Sequence, residues 1–69
     1  MGNLMGTVKF FDAEKGYGII DGDDSKKYLF FYTDILHKNK YCKSKERVLF
    51  SKVKDARGTR AVGVRIVGK

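Results

Sequence analysis

An all-β fold, built as a small closed barrel of five short strands, is what this sequence predicts, and three observations carry the prediction. Proline is absent and eight glycines fall at intervals between short β-rich stretches, the spacing of strands and turns rather than of helices. Along those stretches apolar residues recur with the period of two that a strand imposes. The chain has 69 residues and a single cysteine, Cys42, with a single histidine, His37. A disulfide within the chain is therefore impossible and a tetrahedral zinc site is not expected, so one small all-protein core must suffice.

The first strand is expected from Leu4 to Phe11, rich in β-formers (Thr7, Val8, Phe10, Phe11), and the turn Asp12-Ala13-Glu14-Lys15-Gly16 ends it. The second runs from Tyr17 to Asp21, closed by Gly22-Asp23-Asp24-Ser25. The third spans Tyr28 to Tyr32, and Thr33 to Leu36 form one helical turn with Thr33 as its cap. Residues 37–46 form a polar, basic loop. The fourth strand covers Arg47 to Lys54 and the fifth Thr59 to Val67, joined by Asp55-Ala56-Arg57-Gly58.

Alternation assigns the faces. Val8, Ile20, Ile35, Val48, Phe50, Val64 and Ile66 are expected in the core, with Tyr28 and Phe30 beside them and Val62 on the same face as Val64. Lys52 shares the inward parity of Val48 and Phe50, so the fourth strand must end, bend or bulge there, with Val53 taking over the inward role. The third strand is apolar on both faces. Only one can meet the core of a small barrel, which leaves Leu29 and Phe31 to be covered or to receive a ligand. An oligonucleotide-binding (OB) barrel and an SH3-like barrel both satisfy this pattern.

Charge points to the partner. The net charge is +7, unevenly spread. Residues 1–36 carry four basic and six acidic groups, whereas residues 37–69 carry eleven basic groups and only Glu46 and Asp55 as acids. Such asymmetry suggests a polyanion, although a merely solubilising charge gives the same count. No apolar run is long enough for a membrane span and no basic-then-apolar leader opens the chain. A cytoplasmic setting is the simplest reading. Neither a membrane nor a small-molecule substrate is expected as a partner, and no cofactor. A ribonuclease would need acid–base groups converging in a cleft; one loop histidine and turn carboxylates do not supply them, so no enzyme is expected. A peptide-binding barrel of SH3 type typically uses Trp, which is absent.

Two stretches narrow the function. Lys15-Gly16-Tyr17-Gly18-Ile19-Ile20 lies on the second strand and Tyr28-Leu29-Phe30-Phe31-Tyr32 on the third. Glycines on both sides of Tyr17 would leave the backbone open to a planar base, aromatics on the next strand would extend the surface, and lysines would hold phosphates. These residues, with Gly6-Thr7-Val8-Lys9-Phe10-Phe11-Asp12 before them and Arg57-Gly58 and Val62-Gly63-Val64 after, resemble the cold shock domain family over nearly the whole chain.

The resemblance implies one domain over residues 1–69, a five-stranded antiparallel OB barrel, that binds single-stranded RNA or DNA through two motifs on the second and third strands. Phe10 stands where the family has Trp. Ile19 replaces the second aromatic of K-G-F-G-F-I, Leu29 the first surface aromatic of V-F-V-H-F, Phe31 its His and Tyr32 its final Phe. Tyr41 matches the family's loop aromatic and Arg57 a basic position. The expected interface is Lys9, Phe10, Phe11, Lys15, Tyr17, Ile19, Leu29, Phe31, Tyr32, Tyr41, Arg57 and Arg60, with Lys38, Lys40, Lys43 and Lys45 as further charges that solvation alone can also explain. An RNA chaperone or gene-expression regulator, monomeric or exchanging strands as a dimer, is the leading expectation. The alternative is a ribosome- or translation-associated OB protein that grips structured RNA.

Overall fold

The computed structural model describes residues 3–36, 41–56 and 58–67. Five strands, β1 (Leu4–Asp12), β2 (Tyr17–Gly22), β3 (Lys27–Phe31), β4 (Arg47–Asp55) and β5 (Gly58–Ile66), close into a barrel in the order β1-β2-β3-β5-β4. Each boundary lies within one residue of the one expected from sequence. Four of the neighbouring pairs are antiparallel; β3 and β5 meet in parallel, at Leu29 and Arg60. A barrel has no free edge to pair with another chain. Among the described residues no helix is long and apolar enough to cross a membrane.

The core consists of Val8, Ile20, Tyr28, Phe30, Ile35, Cys42, Val48, Phe50, Ala61 and Val64. Cys42, within the stretch expected as a polar loop, is one of its members. Burial pushes its thiol up to about 11 from an ordinary value of 9.0, with Glu46 adding to the effect. Tyr28 is buried, yet its hydroxyl donates a 2.6 Å hydrogen bond to Asp24 Oδ2, which satisfies the polar end of an otherwise apolar ring.

Two bulges set the faces. In β1 the register steps from Val8↔Ile20 to Phe10↔Ile19, so Lys9 is the extra residue. The other edge of Val8 is taken by the loop before β4: its N–H donates to the Glu46 carbonyl at 2.9 Å, and its carbonyl accepts from the Lys45 N–H at 2.7 Å. In β5 the step from Leu49↔Arg65 to Ser51↔Val62 adds a residue near Gly63, whose φ of +60° is the left-handed conformation that suits glycine at a bulge.

The second bulge corrects three expectations. Ala61 and Val64 both turn inward, and Val62 lies half-buried on the opposite face with Arg60. The irregularity anticipated at Lys52 falls on the partner strand, so β4 runs on to Asp55 with Lys52 and Val53 exposed. Val53 does not join the core, because it pairs with Arg60 on the outer face. Ile66 keeps its pairing with buried Val48 but is the last residue of β5, where neighbours cover one side only, and it is exposed.

The turn after β3 is a 3₁₀ helix over Tyr32–Asp34. Its stabilising side chain is Asp34 rather than Thr33: the buried Asp34 carboxylate accepts a hydrogen bond from the Phe31 N–H at 2.9 Å.

Candidate nucleic-acid interface

The Lys9 bulge creates the site. Without it Phe10 would share the inward parity of Val8; with it Phe10 faces out beside Ile19, and Phe11 turns in opposite Gly18. Adjacent strands then align two outward rows. One runs Phe10, Ile19, Leu29, Arg60 and the next Asp12, Tyr17, Phe31. The Phe10 and Tyr17 rings meet edge to face, 6.2 Å between centres. The Arg60 guanidinium lies over the Phe31 ring at 5.7 Å, within cation–π range.

Outward rings that are exposed (Phe10) or partly exposed (Tyr17, Phe31) at this spacing suit stacking by planar bases, worth about 1–3 kcal/mol per base. Ile19 and Leu29 occupy the centre of the rows and offer apolar contact only. Lys9 at the bulge and Lys15 in the β1–β2 turn are exposed. That turn is held by Asp12, whose Oδ1 accepts from the N–H groups of Glu14 (3.0 Å) and Lys15 (3.2 Å).

Gly18 serves the core rather than the outer surface. A β-carbon there would come within 2.4 Å of the Phe10 carbonyl oxygen and 2.9 Å of the Phe30 ring. The openness that the sequence suggested for a base is thus taken up from inside by Phe30.

Phe11 departs from a fully exposed role. Its ring stacks on Phe30 (5.6 Å, 21°) and meets Tyr41 edge to face. It forms the floor of an open groove of about 440 Å³ walled by Lys15, Gly16, Tyr32 and Tyr41. Tyr32 and Tyr41 are both exposed, and Tyr32 donates its N–H to the Gly16 carbonyl at 2.9 Å. The groove continues the Tyr17–Phe31 row toward the loop. Arg57, Lys38, Lys40 and His37 lie outside the described residues.

Acidic groups close the opposite end. Asp21 pairs with Lys27 at 3.0 Å, and Asp23 takes a two-pronged bond from Arg47 (2.8 and 2.9 Å) that also reaches Thr7. Exposed pairs of this kind add little stability, but they neutralise carboxylates that would repel a phosphate chain. The Arg47 guanidinium holds the Asp23 carboxyl below the usual carboxylate range, and the Tyr28 hydroxyl does the same for Asp24. Among the described residues no group of three or more His, Cys, Asp or Glu could hold a metal.

The family model for the "cold-shock" DNA-binding domain matches residues 4–67. This chain belongs to the cold shock domain family. Membership implies nucleic-acid binding. A cold shock-like protein of Aquifex aeolicus is 39% identical over 69 residues, covering 97% of this chain and 99% of that protein. A cold shock protein of Arthrobacter globiformis is 39% identical over 65 residues, with 91% and 97% covered. Y-box-binding protein 1 of Xenopus laevis is 36% identical over 67 residues, covering 88% of this chain but 22% of that longer protein. The solved structure of drosophila Unr CSD456 superposes with a TM-score of 0.82 over 97% of this chain and 27% of that one; at 15% identity it speaks for the OB barrel alone.

Arg60 was expected at the interface, but its seat on Phe31 was not legible, because it depends on the parallel β3–β5 pairing between residues thirty-one apart in sequence.

Proposed function

We propose that this cold shock domain protein binds single-stranded RNA and DNA as a monomeric, cytoplasmic module of the RNA-chaperone or gene-expression-regulator type. The observation that carries the reading is the clustering of Phe10, Tyr17 and Phe31 on adjacent outward rows, flanked by Lys9, Lys15 and Arg60. In a duplex the base faces are already stacked on one another, so a surface of rings gains most from unpaired bases. Lysines add the sequence-independent attraction to phosphate. A strand held this way is withdrawn from pairing, and weak hairpins melt by mass action without covalent chemistry.

An interaction with about four to seven nucleotides is expected, within the usual range for one OB fold. Fluorescence anisotropy with a labelled pyrimidine-rich heptamer and a matched duplex tests this. The expected result is clear preference for the single strand; equal affinity for the duplex would overturn it. Preferential co-sedimentation with ribosomal subunits, with no heptamer binding, would favour a grip on structured RNA instead.

A further inference from the structure

Arg60 stands within the outer face rather than on its rim. It is paired with Leu29 on one side and Val53 on the other. Its guanidinium carbon is 5.7 Å from the Phe31 ring centre, and about a third of the side chain is exposed. Its hydrogen-bonding capacity is unused among the described residues. The Nε–H is buried with no acceptor. The Asp34 carboxylate is 3.8 Å away, near enough to balance charge but beyond hydrogen-bond range. The same Asp34 Oδ2 is already committed to the Phe31 N–H.

This combination sets Arg60 apart from the lysines. Asp34 offsets its charge, so it attracts a phosphate less than exposed Lys9 or Lys15 does. What remains is a planar fork of donors, positioned beside a ring on which a base can stack. Since the Nε side is buried toward Asp34, the terminal amino groups are the donors a ligand can reach. A paired donor fork matches the two acceptors on one edge of guanine, O6 and N7; adenine offers N7 beside a donor amino group, and thymine a single acceptor beside a methyl group. In single strands such edges are free, and bases also stack on aromatic rings and guanidinium planes. Ile19 and Leu29, aliphatic, supply no readout of their own.

We propose that Arg60 is the specificity-determining residue of the interface, reading O6 and N7 of a guanine seated beside Phe31. This rests on the single-strand reading above.

The test is anisotropy on thymine heptamers carrying one guanine, adenine or 7-deazaguanine, the substitution walked through the positions, against the parent protein, Arg60→Lys and Arg60→Ala. Circular dichroism and melting curves establish that the variants fold. The parent is expected to bind the best-placed guanine strand about tenfold more tightly than all-thymine, with most of that gain absent for adenine and 7-deazaguanine. In both variants the guanine-to-thymine ratio should fall to about one, since a lysine keeps the charge but not the fork. Equal affinity of the parent for all four strands, or a ratio that survives Arg60→Ala, would overturn the proposal. So would a salt slope that drops by about 0.7 on every strand in Arg60→Ala while the ratio holds, the signature of a phosphate contact. Binding of no single strand at all would sink the underlying reading as well, whereas binding without guanine preference sinks this inference alone.

Discussion

Gly18 and Phe30 face each other across β2 and β3, and a β-carbon on Gly18 would lie 2.9 Å from the Phe30 ring. The core ring thus occupies the space a side chain would need, directly behind the outward Tyr17. Gly18→Ala must displace both this ring and the Phe10 carbonyl, the latter only 2.4 Å from the added atom. Overpacking of this kind costs about 1–3 kcal/mol. Urea unfolding of the variant should show a lower midpoint by that amount, and an unchanged midpoint would mean the strands are less tightly apposed than described.

The Tyr28–Asp24 bond predicts an acid dependence. The Asp24 carboxyl is held below its ordinary 3.8 mainly by the Tyr28 hydroxyl, and Asp23 below the same value by Arg47. A lowered pKa means that the unfolded chain binds the proton first. The contribution is therefore intact above about pH 3.8 and lost as pH falls through the folded value. Tyr28→Phe should flatten the stability–pH curve below that point without altering its slope at pH 5 to 7. A parallel curve for parent and variant would contradict the assignment.

Cys42 predicts the alkaline side. Its raised pKa favours the neutral thiol in the folded state, so its contribution is complete below pH 9 and declines as pH rises from 9 to about 11. Tyr28, also raised by its bond to Asp24, adds to the loss only above pH 10. Between pH 9 and 10 the stability of Cys42→Ala should therefore fall less steeply than that of the parent. Equal slopes would show that the thiol is more accessible than its place in the core implies.

Lys9 and Lys15 are exposed at two separate places in the chain, one at the bulge within β1 beside Phe10 and one in the turn before β2. If each meets a phosphate, Lys9→Ala and Lys15→Ala should each reduce the slope of log affinity against log salt by about 0.7 on single strands, and weaken binding evenly across sequences. A variant with undiminished slope carries no phosphate contact at that position.

How much of this was legible in the sequence follows from how local each feature is. The strands were, because alternation and turn chemistry act over a few residues: Tyr17, Ile19, Leu29 and Phe31 fell on the outward parity that the barrel gives them. What escaped depended on distant partners. The inward turn of Phe11 follows from a bulge at which loop residues Lys45 and Glu46 bind Val8. The inward turn of Ala61 and the half-buried Val62 follow from the offset of β5 against β4. Cys42 sits in a lysine-rich stretch whose composition says loop, yet the barrel end takes it into the core. In the interface, the residue types were readable, but the Arg60–Phe31 contact belongs to a parallel pairing that no local pattern announces.

The central claim is that unpaired bases stack on the outward rings of Tyr17 and Phe31, and the most direct measurement is the affinity of Tyr17→Ala and Phe31→Ala for a labelled single-stranded heptamer. Each variant should keep the circular dichroism and melting behaviour of a folded barrel while losing about 1–3 kcal/mol of binding free energy, with the salt slope retained. Folded variants that bind as tightly as the parent would contradict the account.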